Sequence, residues 1–312
     1  MMGRILGNHP KILTFKEIHF LGWMYSAEKM QANLKNQEAV ELLSELFAIQ
    51  KDGIFLKKNP QQFYSKSEQY LNEIDIIKAI EVYELFLTII TKENNCSIAC
   101  EQTPKNVFYI SALLNTFPNA KFIHMVRDSR DVLLSQKNKW KRRFLGASKI
   151  PLREATRSYM NYHPISSSKF WNSAVLHGNK MEENPRVMKI KFEELLLNSD
   201  EKVSKLCNFL NIEFKKNMLK VPNIGSSTSA DKKAELKIDS SKIDKWKKGG
   251  LSNAEIYLSQ IFTKDSMQAN GYELKSFGFP PIVSLFYMIT FPIKAFVALI
   301  LNLRRMGSIA ET

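Results

Sequence analysis

Residues 121–135, KFIHMVRDSRDVLLS, narrow the fold more than any other segment. An apolar run passes without a spacer into Arg-Asp-Ser-Arg-Asp and then into a helical apolar repeat. That order predicts a strand, a tight turn and a helix, with Asp128 or Ser129 placed to cap the helix. Such a junction leaves backbone N–H groups pointing outward at the carboxyl edge of a sheet, where anions bind. Three further short runs share the character of residues 122–126: 12–15 (ILTF), 97–100 (SIAC) and 187–190 (VMKI). Apart from Lys189, they are continuously apolar rather than alternating, as parallel strands covered on both faces are. Helical repeats fall between them, at Val82, Leu85, Phe86 and Ile89 and at Val203, Leu206, Cys207 and Leu210. Strands alternating with helices predict an α/β fold, a parallel sheet flanked by helices. The small, polar, aperiodic stretch 225–233 (GSSTSADKK) reads as a loop.

With 312 residues, 44% of them apolar, the chain can bury one large core or two smaller ones. Its formal charge of +14 calls for an anionic partner such as a nucleotide, a sulfated or phosphorylated polymer, or an acidic membrane face. Nucleic acid is not expected, because no reader motif accompanies the charge. Cys96 and Cys100 lack a second pair at zinc-like spacing, so no metal site is expected; with Cys207 they read as free thiols of a reducing compartment.

Residues 281–303 are nearly all apolar, interrupted by Pro292, Lys294 and Asn302 and followed by Arg304 and Arg305. The run is long enough to span a bilayer, but a central lysine costs about 2.5–3.5 kcal/mol on insertion scales. A spanning tail, an interfacial helix and a helix packed on the protein all remain open. The expected division is therefore residues 1–278 as the main domain and 279–312 as an apolar tail.

At the junction itself, Arg127 supplies a bidentate fork for a phosphate at the strand tip, and Ser135 a hydroxyl two turns along the helix. The alternative is a charged helix start with no ligand. Residues 117–135 resemble the 3′-phosphate-binding motif of sulfotransferases that use 3′-phosphoadenosine-5′-phosphosulfate (PAPS). In that family an Arg after a strand and a Ser eight positions later hold the 3′-phosphate, which implies Arg127 and Ser135. Residues 101–106 (EQTPKN) resemble the family's Glu-Lys-Thr-Pro segment. Residues 171–195, ending RVMKIKFEEL, resemble its Trp…Pro-Arg-Val…Tyr-Glu-Asp-Leu region, with Phe192 where Tyr is usual. Lys245, Trp246 and Lys247, with Leu251-Ser252 after them, resemble its late Lys/Trp segment near the nucleotide, and Asn270-Gly271-Tyr272 its closing Gly-Tyr. The resemblance runs in order over residues 3 to 275 and implies a P-loop NTPase-like sulfotransferase fold. It also implies PAPS as sulfuryl donor, the product nucleotide as a second ligand, and an acceptor hydroxyl or amine on a carbohydrate, peptide or small molecule.

Two departures accompany the resemblance. The family opens with a strand and an Arg-Ser-Gly-Thr-Thr turn that grips the 5′-phosphosulfate, and a helix ending in His-Pro follows. Residues 2–10 (MGRILGNHP) resemble the tail of that helix, so the expected fold has its first strand and P-loop missing. Gln102 stands where the family places a Lys near the departing nucleotide; an amide donates a hydrogen bond but neutralises no charge. On the acceptor side, residues 15–20 (FKEIHF) follow a strand, and Glu17 matches the catalytic base of the tyrosylprotein and carbohydrate-directed branches, with His19 a second candidate. The plainer reading makes Glu17 a solvated loop carboxylate and His19 a packing residue. His124, inside an apolar strand, reads as a core histidine, and His9 as a helix-end contact. The expectation is a sulfotransferase in the cytoplasm or at the cytoplasmic face of a membrane; the alternative is a catalytically impaired relative that binds nucleotide or another anion.

Overall fold

The computed structural model describes residues 1–310, and side chains through residue 302. Arg304 and Arg305, which follow the apolar run, lie outside the described side chains. Among the described residues the strands are β1 (Ile12–Thr14), β2 (Asn33–Lys35), β3 (Ile76–Lys78), β4 (Ile98–Cys100), β5 (Phe122–Val126), β6 (Val187–Lys191), β7 (Pro222–Asn223) and β8 (Lys232–Leu236). All four apolar runs are strands, and they pair in parallel, β1 with β4 and β5 with β6. The α/β class stands, with the strands arranged as four two-stranded sheets. The antiparallel pairs β2–β3 and β7–β8 carried no apolar signal. In β2 only Leu34 is buried between exposed Asn33 and Lys35, too short an alternation to stand out. The chain divides into two compact units, Met1–Ala112 with Lys215–Val221, and Leu113–Phe214 with Pro222–Leu303.

In the first unit, the helices Asn36–Asp52 and Ala79–Glu93 turn their apolar faces inward. Phe86 anchors that packing, with its ring 5.5 Å from Phe15 and 5.8 Å from Phe47. Phe20 stacks on Tyr83 at 4.3 Å. The N-terminal helix Met2–Gly7 is tied to β1 by the Thr14 hydroxyl, which donates to the Gly3 carbonyl at 2.7 Å. Gly3 lets Gln102 and Thr14 approach closely: a Cβ would stand 2.2 Å from Gln102 Oε1 and 2.9 Å from Thr14 Cγ2. His9 ends this segment as a helix-end contact, with Nδ1 accepting from the Lys11 amide at 3.2 Å.

In the second unit, β5 and β6 run in register from Phe122↔Val187 to Val126↔Lys191. Val126 packs in a core with Trp171, Val175, Met267 and Tyr272. The helix Ser129–Lys137 starts where expected: Asp128 caps it, its carboxylate accepting from the Arg130 amide at 2.8 Å. The Ser129 hydroxyl meets those of Ser259 (3.3 Å) and Thr263 (3.2 Å) on the helix Asn253–Ala269. His124 is buried against Gly178 of the helix Pro164–Asn179, where a Cβ would stand 2.1 Å from the ring. Burial lowers its pKa to about 4, so it is a neutral core residue. The long helix Val283–Ala310 follows, with Pro292 inside it.

Candidate functional site

The predicted residues fall in both units: Glu17, His19 and Gln102 in the first, Arg127, Ser135, Lys245, Trp246 and Lys247 in the second.

In the second unit, the register of β5 with β6 puts the residues after each strand side by side. Arg127 leaves β5 with its guanidinium over the Phe192 ring, 4.5 Å from the centroid. The turn around it is braced. Trp171 Nε1 donates to the Arg127 carbonyl at 2.9 Å, and Glu193 accepts from the Asp128 amide at 3.0 Å and the Tyr272 hydroxyl at 2.9 Å. Glu193 is thus a structural carboxylate. Arg127 Nη2 donates to Asp131 Oδ2 at 3.1 Å and to the Lys242 carbonyl at 2.8 Å. The other Asp131 oxygen accepts from the Trp246 amide at 2.9 Å. Asp131 therefore links two of the predicted residues. Its side chain is 0% exposed, and burial raises its pKa despite the opposing pull of Arg127. Arg130, paired with Asp128 at 2.6 Å, covers the Trp246 ring at 3.8 Å.

The polar stretch 225–231 enters the same neighbourhood; Lys232 and Lys233, the last two residues of the expected loop, instead begin β8. Asp231 binds Arg142 at 2.8 Å, and Arg142 also donates to the Ser226 carbonyl at 2.8 Å. This holds the Ser227 hydroxyl 3.3 Å from that of Ser135, and the Thr228 hydroxyl 2.9 Å from Lys245 Nζ. The Lys245 pKa is lowered, by burial first and then by the charge of Arg127. Through these contacts Arg127, Ser135, Lys245 and Trp246 form one cluster. Lys247 is at its edge, paired with Asp244 at 2.6 Å and 5.7 Å from the Trp246 centroid. Two buried donors, Arg127 Nε and Trp246 Nε1, find no acceptor among the described residues. An orphaned buried donor is costly. With two cations and two hydroxyls beside them, these donors suit a phosphate-bearing ligand.

In the first unit, β1 and β4 end together, and the Phe15 amide extends the pairing to the Cys100 carbonyl at 2.9 Å. The loops that follow lie at one strand edge. Glu101 collects the Thr103 amide (2.9 Å), the Thr103 hydroxyl, the Asn106 side-chain amide (2.5 Å) and the Ile18 amide (3.4 Å). Burial nonetheless raises its pKa. Thr103 Oγ1 accepts from the His19 amide at 3.1 Å. His19 is left-handed, at φ 56°, and its ring stacks on Trp23 at 4.2 Å. Its Nε2 lies 3.4 Å from the Glu17 carboxylate, which is 47% exposed. Lys105 sits over Trp23 at 5.7 Å, its pKa lowered by burial. Glu17 and His19 therefore come together as an accessible carboxylate beside a buried imidazole. Gln102 faces elsewhere, its amide donating to the Phe15 carbonyl at 2.9 Å while its oxygen packs on Gly3.

The sequence reading missed Asp131, Ser227 and Thr228 as parts of the phosphate-suited cluster, and Glu101 as the clamp of the other loop. The four-residue spacing of Arg127 and Asp131 and the hydroxyl density of 225–233 were the available signals.

A profile of the sulfotransferase family matches residues 1–216. A Caenorhabditis elegans protein provisionally named a protein-tyrosine sulfotransferase is 26% identical over 123 residues, 39% of this chain and 42% of that protein. The chain thus matches about two fifths of the relative's length. Two solved structures share the fold at a TM-score of 0.50. The sulfotransferase domain from the curacin biosynthetic pathway is 19% identical, covering 88% of this chain and 93% of its own. The sulfotransferase domain of the Synechococcus PCC 7002 olefin synthase is 17% identical, covering 88% and 90%. With the profile spanning more than half of its residues, the chain belongs to the sulfotransferase family.

Proposed function

We propose that the chain transfers a sulfuryl group from PAPS to a hydroxyl or amine of a carbohydrate, peptide or small molecule. The observation that carries this reading is the second-unit cluster, where Asp131 ties Arg127 to Trp246 and the Arg127 Nε and Trp246 Nε1 donors stay orphaned. Arg127, Ser135 and Lys245 would hold the nucleotide's 3′-phosphate, Trp246 would lie against the nucleoside, and Lys247 would neutralise charge at the rim. Bound PAPS supplies a sulfuryl group on a phosphate leaving group. Glu17, partly exposed, accepts the acceptor's proton, and His19, with Nε2 3.4 Å away, is the second candidate base. Glu101 acts one step back, holding the Glu17–His19 loop through Thr103. Gln102 supplies no cation, and its amide is committed to the Phe15 carbonyl.

A second reading, an impaired relative that still binds nucleotide, is favoured by Gln102 itself, whose amide and oxygen are both engaged in packing. The domain assignment belongs to the same proposal: residues 1–278 as the sulfotransferase domain, and 279–312 as a tail at a membrane surface on the cytoplasmic side. The full chain, incubated with radiolabelled PAPS and a tyrosine peptide, an oligosaccharide or a small alcohol, separates the readings. The name of the worm relative makes the tyrosine peptide the first acceptor to try. Label transfer supports the enzyme. Nucleotide binding without transfer to any acceptor supports the second reading, and absence of both refutes the two together.

A further inference from the structure

The helix Val283–Asn302 is built inside out. It is long and apolar enough to cross a membrane. Each of its polar side chains, Ser284, Tyr287, Thr290, Lys294 and Asn302, is sheltered, while every exposed residue on it is apolar. The sheltered positions recur at helical spacing and make one stripe. That stripe is docked along its length within the second unit. Tyr287 and Phe291 lie 5.6 and 5.1 Å from the His163 ring. Lys294 Nζ is 5.8 Å from the Tyr159 centroid. Asn302 donates to Asn161 at 3.0 Å and accepts from Arg157 at 3.2 Å. The Thr290 hydroxyl donates to the Phe286 carbonyl of its own helix at 2.8 Å. The open face, with Leu285, Phe286, Ile289, Ile293, Phe296 and Ile300, therefore presents no polar group. A water-facing helix has the opposite pattern.

We infer that this helix is a monotopic membrane anchor. It lies in the plane of an anionic bilayer, its open face in the lipid and its polar stripe still docked on the protein. The inference rests on the membrane reading of the tail. Lipid fits the face because lipid excludes polar groups, and here the polar side chains of the helix all lie on the docked stripe. Anionic headgroups fit the rim. Trp140 packs on Tyr159 at 5.8 Å, and Tyr159 in turn meets Lys294, so the KWKRRF segment continues the surface. Its Lys139 and Lys141 are exposed, as is Phe144 at 64%. A spanning helix would have to abandon the docked stripe or carry Arg157 and His163 toward the hydrocarbon, which is costly.

The test uses the full chain with vesicles of phosphatidylcholine alone or with phosphatidylserine. Flotation is expected with both, stronger with phosphatidylserine, and only that increment is weakened by salt. The double variant Ile289→Lys/Phe296→Lys, at exposed positions, should lower partitioning by about tenfold or more. Nitroxides are then placed singly at Leu285, Ile293 and Ile300, with Cys96, Cys100 and Cys207 replaced by Ser. All three should report one shallow depth. A depth that peaks at Ile293 overturns the monotopic anchor and leaves the membrane reading standing. No flotation on either vesicle overturns both, and a lipid-free dimer abolished by the double variant would then identify a second copy as the occupant.

Discussion

Arg127→Ala should damage the protein in a way that a second substitution largely repairs. The Arg127 guanidinium lies 3.1 Å from Asp131 Oδ2, and the Asp131 side chain is wholly buried. Removing the cation leaves a carboxylate whose remaining partner is the Trp246 amide at 2.9 Å. Orphaning one member of a buried pair costs about 3–5 kcal/mol. The lower end applies here, about 3 kcal/mol, because Arg127 is 23% exposed and burial already pushes Asp131 toward its neutral form. Adding Asp131→Asn removes the stranded charge and keeps an oxygen for the Trp246 amide. The double variant should recover about 2 kcal/mol, a coupling well above that of independent sites. Urea denaturation at constant m reads all three variants against wild type. The sign with pH is also fixed. Asp131 has a raised pKa when folded, so the native state holds its proton more tightly than the unfolded chain. The deficit of Arg127→Ala must therefore shrink as pH falls into the carboxylate range. Additive losses to within about 0.5 kcal/mol, or a deficit that grows on acidification, would refute the reasoning.

Three other outcomes are expected. Glu17→Gln should lower the transfer rate by about 10²-fold or more while nucleotide affinity is unchanged; equal loss of both would make Glu17 a structural residue. Stability should fall as pH drops from the ordinary imidazole value of 6.5 toward about 4, because the unfolded chain takes up a proton that the buried imidazole refuses. The contribution is at most about 3 kcal/mol, and His124→Gln should flatten that part of the denaturation profile. Gly178→Ala should destabilise by about 1–3 kcal/mol, read by thermal unfolding, since the new methyl meets the His124 ring.

The parallel strands were legible because each is a short continuous apolar run, and the strand–turn–helix at Arg127 because its charges interrupt apolar periods. The pairs β2–β3 and β7–β8 were not, since β2, β3 and β7 have only two or three residues and β8 is exposed at all positions but Glu235, which leaves no alternation to count. The phosphate-suited cluster was half legible. Arg127 and Ser135 belong to a local pattern, whereas Ser227 and Thr228 arrive through the Arg142–Asp231 ion pair, 89 residues apart in sequence. Composition left three fates open for the apolar tail. The docked stripe carrying Lys294 and Asn302 is a tertiary fact, and no window of hydropathy contains it. Gln102 was noticed for its missing charge, but its packing against Gly3 is visible only in three dimensions.

The most direct test of the central claim is calorimetric titration of the full chain with adenosine 3′,5′-bisphosphate, comparing wild type with Arg127→Lys. Lysine keeps the charge over Asp131, so the fold is spared the orphaned carboxylate, but it lacks the fork that grips a phosphate. Binding to wild type is predicted, with the dissociation constant rising by about tenfold in Arg127→Lys and by less in Ser135→Ala. Equal affinities for wild type and Arg127→Lys, or no binding to either, would contradict the assignment of the second-unit cluster to the 3′-phosphate.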